Sequence, residues 1–156
     1  KGNVQCCRIG GTTDISAGQL IDRTGQLLHL PFPAGKHLDI LSQQAENQDF
    51  FRVKCPNMDF SLSGVQNKVQ QYYAATGSDV ESAAYALRCV CNAIYTATSH
   101  AVKAYPGLPV VFSGGVASNS MLRNTVSSFA PIFAEPQYST DNAMGVAVLA
   151  HRMQEG

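Results

Sequence analysis

The run Val110-Val111-Phe112-Ser113-Gly114-Gly115-Val116-Ala117-Ser118-Asn119 constrains the fold of this chain more than any other stretch. Val110, Val111 and Phe112 read as a short buried strand, because a brief apolar run rich in β-branched residues suits a sheet covered on both faces. Ser113-Gly114-Gly115 then turns the chain, and a helix follows with Met121, Leu122 and Val126 on one side. Such a strand–turn–helix step leaves backbone N–H groups pointing outward at the helix start, where an anion or nucleotide can approach. Glycine matters there because a Cβ would block the approach or forbid a positive φ. The same residues also suit an ordinary strand–helix turn, so the motif by itself leaves both readings open.

Other stretches carry polar groups in comparable settings. Ser139-Thr140-Asp141-Asn142-Ala143-Met144-Gly145 precedes the apolar Val146-Ala147-Val148-Leu149-Ala150. Thr140 or Asp141 suits a helix cap, and Asp141 equally suits a hard oxygen ligand for a metal. Near the other end, Asp14 or Thr13 is a candidate cap for a helix running through Gly18 and Asp22. Gly18 inside that helix costs about 1 kcal/mol relative to Ala, which points to close approach by a ligand or another backbone. Asp14, Gly18 and Asp22 are spaced four apart and are expected on one helix face, as a polar pocket wall or a solvated face. Leu30-Pro31-Phe32-Pro33-Ala34-Gly35-Lys36 ends the helix in a rigid turn. Asp59-Phe60-Ser61-Leu62-Ser63-Gly64-Val65 alternates like a strand and then enters a helix.

Strands alternate with helices along the rest of the chain. Strands are predicted over 4–9, near 110–112 and over 132–134, with an extended piece over 50–53. Helices are predicted over 15–28, 35–46, 64–75, 80–104, from Met121, and over 142–154. The 80–104 helix is the most regular: Val80, Ala83, Leu87, Val90, Ile94, Ala97 and Ala101 recur at helical spacing, Asp79 or Ser78 caps it, and Pro106-Gly107 ends it. Tyr72-Tyr73 is read as packing rather than base stacking. The pattern is a layered α/β fold in one domain.

Eleven Lys plus Arg balance eleven Asp plus Glu, so no net charge marks the chain for nucleic acid. A nucleic-acid partner would need a local patch or another subunit. No apolar run reaches the roughly 18 residues of a membrane span, and no secretory signal is visible. Cys6, Cys7, Cys55, Cys89 and Cys91 fit neither a disulfide frame nor a zinc spacing, and read as reduced, mostly buried thiols of a cytoplasmic protein.

Taken in order from Asp14 to Met153, these motifs resemble the C-terminal part of the tRNA threonylcarbamoyladenosine transferase family, formerly described as O-sialoglycoprotein endopeptidases or glycoproteases. The family pattern Asp-x-x-x-Gly-x-x-x-Asp, Tyr-Pro-Gly-Gly, Phe-Ser-Phe-Ser-Gly, Gly-Gly-Val-x-x-Asn and Thr-Asp-Asn is met collinearly. The resemblance implies one lobe of the actin-like, ribonuclease-H-like ATPase fold, a mixed sheet with flanking helices. Residues 1–156 would form a single domain, the C-terminal lobe of two, with the N-terminal lobe absent. By position, Asp22, Gly35, Gly114, Gly115 and Asn119 match the family's nucleotide-binding residues. Asp141 matches the carboxylate ligand of a divalent metal, iron or zinc. The adenosine nucleotide would be ATP or threonylcarbamoyl-adenylate.

The departures are informative. Gly-Glu-x-x-Asp becomes Gly18-Gln19-x-x-Asp22, Pro-Gly-Gly becomes Pro33-Ala34-Gly35, Ser-Gly-Leu-Lys-Thr becomes Ser63-Gly64-Val65-Gln66-Asn67, and Asp-Asn-Gly becomes Asp141-Asn142-Ala143. The family's His-x-x-x-His metal pair has no counterpart, since His29, His37, His100 and His151 include no pair at that spacing. The expectation is a fragment of a divergent paralogue. The intact protein would transfer a threonylcarbamoyl group to adenine N6 of tRNA, working with partner subunits, and the fragment alone would be inactive. A non-catalytic nucleotide-binding or protein-binding paralogue is the alternative. Another actin-like ATPase or kinase, or the older metallopeptidase reading, comes third. Loss of the first strands would expose a sheet edge, from which a homodimer is expected.

Overall fold

The computed structural model describes residues 6–135 and 150–151. The chain opens with β1 (Gly11–Thr12), α1 (Ala17–Leu27) and α2 (Gly35–Ser42). A single 3-10 turn at Pro56–Met58 leads into β2 (Asp59–Phe60), α3 (Ser63–Thr76) and the long α4 (Asp79–Ala104). Then come β3 (Val111–Phe112), a 3-10 turn at Gly115–Ser118, α5 (Ser120–Thr125), and β4 (Ile132–Phe133). β1 pairs in parallel with β2, Gly11 opposite Asp59, and β3 pairs in parallel with β4, Val111 opposite Ile132. The helices between each pair supply the crossover that parallel strands require.

Helix α4 is the spine. Ala83, Ala84, Tyr85, Ala86, Leu87, Cys89, Val90, Cys91 and Ala93 are buried along it. The small side chains among them let α2 and α3 approach closely. Leu20, Val65, Val69 and Val90 form one apolar cluster, and Ile21, Leu28, Leu38 and Leu87 a second. Ser78 caps α4 by accepting from Glu81 N–H, Asp79 and Glu81 lie in the first turn, and Lys103 lies in the last. Each favours the helix through its dipole or its unsatisfied N–H groups. Gly77, at φ 62°, ends α3 in the left-handed conformation that glycine adopts without strain. Tyr72 stacks on Tyr85 with ring centroids 4.3 Å apart, so this tyrosine packs as expected.

Three predicted elements differ. The 35–46 helix stops at Ser42, because the Glu81 carboxylate accepts the N–H groups of Glu46 and Asn47 and draws that segment across to α4. The predicted piece over 50–53 joins no sheet. Its amides go instead to α4 side chains, Phe51 N–H to Cys89 Sγ at 3.2 Å and Val53 N–H to Asn92 Oδ1 at 3.1 Å. Of the strand predicted over 4–9, the described residues 6–9 are not in a sheet, and the pairing begins at Gly11. The final predicted helix lies outside the described residues except for Ala150 and His151, which are helical. Among the described residues no helix is long and apolar enough to cross a membrane.

Candidate functional site

Of the predicted nucleotide residues, Gly35, Gly114, Gly115 and Asn119 lie at the starts of helical turns, and Asp22 lies within α1. Helix α1 is capped by Ser16, not by Asp14 or Thr13. Ser16 Oγ accepts from Gln19 N–H at 3.1 Å, and Gln19 Oε1 accepts from Ser16 N–H at 2.9 Å. This is a capping box, a task that Gln performs as well as Glu. The missing carboxylate at Gln19 is therefore a local substitution within a helix cap.

Asp22, one turn further on, accepts from Ala34 N–H at 3.0 Å through Oδ1. Among the described residues its Oδ2 has no hydrogen-bond partner. This bond fixes the Pro33-Ala34 turn and sets Gly35 as the first residue of α2. A Cβ at Gly35 would meet nothing nearer than Ile21 Cγ2 at 4.0 Å, so the space in front of it is open. A Cβ at Gly25, by contrast, would overlap that of Ala34. Gly25 thus makes room for the alanine that replaces a family glycine. Sequence reasoning passed over Gly25, because nothing near it in the chain marks the contact.

The Gly114–Asn119 turn completes the set. Gly114 takes φ 94°, a conformation that strains other residues, and a Cβ on Gly114 or Gly115 would meet nothing within 4 Å. Asn119 is 8% exposed and caps α5, its Oδ1 accepting from Leu122 N–H at 2.9 Å. Its Nδ2 is buried and has no partner. A buried amide N–H₂ without an acceptor costs free energy, so native proteins keep such a group where something else satisfies it.

Side chains from several elements surround this turn. Val116 Cγ2 lies 3.9 Å from where a Cβ on Gly18 would stand. Gly18 therefore has ordinary room, and no other backbone approaches it closely among the described residues. Asp39 of α2 reaches across to accept from Ser120 N–H at 2.9 Å and Ser120 Oγ at 2.7 Å. Arg123 Nε donates to Ala117 O at 3.0 Å and its guanidinium sits over the Phe133 ring. Asp39 was missed by sequence reasoning, since its partner lies far along the chain.

Asp14 does not share a face with Gly18 and Asp22, because it precedes α1. Its carboxylate turns to the start of α3, where Leu62 offers no side-chain cap. Oδ1 accepts from Leu62 N–H at 2.8 Å and from Ile15 N–H at 2.7 Å, while Oδ2 accepts from the hydroxyls of Ser61 and Ser63. Burial raises its pKa, but the hydrogen bonds from Ser61, Leu62 and Ser63 outweigh that and hold the carboxyl well below the usual carboxylate range. Asp14 is a structural clamp between two segments.

Other candidate groups are also accounted for. Ser118 Oγ donates to Gly115 O at 2.6 Å and is used within the turn. Gln66 Oε1 accepts from Arg23 Nη1 at 2.7 Å. All five cysteines are free thiols, with Cys55, Cys89 and Cys91 buried but Cys6 and Cys7 exposed. Burial pushes the Cys89 thiol up to about 11 and the Cys91 thiol up to about 12, which makes both poor nucleophiles. Asp141 lies outside the described residues. Among those described, no three His, Cys, Asp or Glu side chains form a metal-holding group, so they do not by themselves fit the metal.

Comparison with known proteins agrees with the motif order. The family model for tRNA N6-adenosine threonylcarbamoyltransferase matches residues 2–148. Enzymes of that name from Streptococcus suis strain 05ZYH33 and from Kosmotoga olearia are each 32% identical to this chain. The matches cover 77% and 92% of this chain but 38% and 47% of those proteins. The one from Carboxydothermus hydrogenoformans is 31% identical over 95% of this chain and 48% of its own length. The chain thus spans half or less of the relatives it matches. The α/β layering with parallel strand pairs accords with the actin-like fold of these enzymes. On both the extent of the family match and the coverage of this chain, it belongs to the tRNA N6-adenosine threonylcarbamoyltransferase family.

Proposed function

We propose that this chain is the C-terminal lobe of a threonylcarbamoyltransferase and supplies one wall of its adenosine nucleotide site. In the full-length protein, N6 of a tRNA adenine attacks the carbamoyl carbon of threonylcarbamoyl-adenylate. The new bond is N6–C, the bond broken is C–O to the phosphate, AMP leaves, and N6 gives up a proton. Asn119 Nδ2 donates to the nucleotide and Asp22 Oδ2 accepts from it. The open backbone of Gly114 and Gly115 lets the ligand approach, and Gly35 leaves room beside it. Backbone N–H groups at the start of the Gly115 turn favour the negative charge that grows on the leaving phosphate. The carrying observation is the buried, unpartnered Nδ2 of Asn119 beside two glycines with open space in front of them.

By resemblance alone, Asp141 is one ligand of an iron or zinc ion whose two histidines lie on the other lobe, and no step above runs through it. Partner subunits and a cytoplasmic location follow from the same reading. The tRNA would meet Phe32, which is 83% exposed between two prolines beside the Asp22–Ala34 bond and is followed by exposed Lys36 and His37. Three of the departures from the family pattern have local explanations: Gln19 completes a cap, Ala34 fits against Gly25, and Gln66 binds Arg23.

Calorimetric titration of AMP into the full-length parent tests the reading. Asp22→Ala is expected to weaken binding about tenfold, the worth of one hydrogen bond to a charged group. Unchanged affinity in Asp22→Ala would place the nucleotide elsewhere.

A further inference from the structure

Helix α2 carries one carboxylate that the nucleotide reading leaves without a task. Asp39 sits one turn beyond Gly35 and is half-buried. Both its oxygens engage a single residue 81 positions later in the chain. Oδ2 accepts from Ser120 N–H at 2.9 Å, and Oδ1 accepts from Ser120 Oγ at 2.7 Å. Ser120 is the first residue of α5, where the opening N–H groups find no partner inside the helix. A carboxylate there is favoured twice, by the bonds it accepts and by the positive end of the helix dipole.

The consequence falls on the residue before Ser120. A peptide unit is planar, so fixing the Ser120 N–H fixes the plane that starts at the Asn119 Cα. Asn119 is held at φ −62° and ψ 129°, and its Oδ1 accepts from Leu122 N–H at 2.9 Å. With the backbone plane and the amide oxygen both pinned, the direction of the buried, unpartnered Nδ2 is set. Helix α5 has only six residues, and a helix so short needs tertiary support to hold its first turn. Arg123 ties the other end of the Gly114–Asn119 turn, donating to Ala117 O at 3.0 Å. Just past the end of α2, Gln43 Nε2 reaches Ser120 Oγ only at 3.5 Å, so Asp39 supplies the short bonds between α2 and α5.

At its other end α2 is fixed by Asp22, which accepts from Ala34 N–H at 3.0 Å. Helix α2 therefore lies as a strut between α1 and α5, with Asp22 and Gly35 at one end and Asn119 at the other. We propose that Asp39 is a positioning residue of the nucleotide site. It touches no ligand, and acts by holding the Asn119 amide at a fixed setting relative to Asp22 and Gly35. The inference rests on the nucleotide reading above and adds to it the part that makes two separate walls one rigid unit.

The test is calorimetric titration of AMP into the full-length parent, with the Asn119 side-chain amide followed by NMR. Asp39→Ala is expected to weaken AMP about tenfold, as Asn119→Asp does, because the same bond to the ligand is lost. The double variant Asp39→Ala, Asn119→Asp is expected to bind no more weakly than either single one, since two changes acting through one bond do not add. Asp39→Asn keeps an acceptor for Ser120 N–H and is expected to bind within about threefold of the unaltered protein. The two Nδ2 protons of Asn119 should stay resolved in Asp39→Asn and collapse toward those of a mobile amide in Asp39→Ala, with the Leu87 and Val90 amides of α4 unmoved. Ser120→Pro breaks the link from the other side, at a first helical position that accepts proline, and is expected to weaken AMP about tenfold even if Asp39→Ala does not fold. Additive losses in the double variant, or a loss in Asp39→Asn as large as in Asp39→Ala, would overturn the inference. Weakening by Asn119→Asp but by neither Asp39→Ala nor Ser120→Pro would overturn it and leave the nucleotide reading standing. Unchanged affinity in all of them would overturn both.

Discussion

Asp14 and Asn119 are both polar side chains that cap a helix, and they differ in what they leave over. Asp14 has both carboxylate oxygens engaged, by Ile15, Ser61, Leu62 and Ser63. Asn119 uses one end of its amide on Leu122 and leaves the other buried without an acceptor. A polar group whose bonds are all satisfied within the chain holds structure, whereas a buried donor without a partner, as also found for the buried oxygens Glu81 Oε2 and Ser82 Oγ, still has a bond to make with water or a ligand. The Asp22 carboxylate belongs with Asn119, because one oxygen fixes Ala34 and the other is unused among the described residues.

The largest effect is expected at Gly25, which supports the open side. Gly25→Val forces the Ala34 Cβ away and with it the Asp22–Ala34 bond. A loss of about 3 kcal/mol in urea unfolding is expected from overpacking. A cost below about 1 kcal/mol would mean that the turn is not held by this contact. Next comes Asp14→Ala, which leaves the Leu62 and Ser63 amides uncapped and is expected to cost about 2 kcal/mol. Its nucleotide affinity should not change. An affinity loss there would blur the distinction between the two residues.

Asn119→Asp keeps the acceptor for Leu122 and replaces the free donor by an oxygen. Stability is expected to move by less than about 0.5 kcal/mol while AMP affinity falls about tenfold. The reverse result, a large stability loss with intact binding, would make Asn119 a structural cap like Asp14. The smallest effect is in pH. The folded-state pKa of Asp14 lies below its unfolded value of about 3.9, so its ionised form contributes stability that is present above that pH and lost as pH falls through and below it. In Asp14→Asn the fall in stability from about pH 4 downward should be shallower in urea titrations.

Much of this was readable in the sequence. The α4 helix and its caps lie within one residue of the expected bounds, because apolar spacing, Ser78 and Pro106-Gly107 are local signals. The strand–glycine–helix step at Val111–Asn119 was equally local. The elements that were misread share a different cause. The end of α2 and the course of residues 50–53 depend on Glu81, Cys89 and Asn92 of α4, tens of residues away in the chain. Asp14 resembled the cap of the nearest helix, but it serves a helix that begins at Ser63.

By itself, then, the sequence determined the family, the order of strands and helices, and which residues to inspect, because caps, periodicity and collinear motifs act over a few neighbours. Tertiary structure alone decided the rest. It showed that Gln19 and Ala34 fit their surroundings, that Asp14 is fully used, that Asn119 keeps a donor in reserve, and that Asp39 ties α2 to the start of α5. Those facts depend on which distant groups arrive opposite each polar atom, and hydrogen bonds are satisfied in space rather than along the chain.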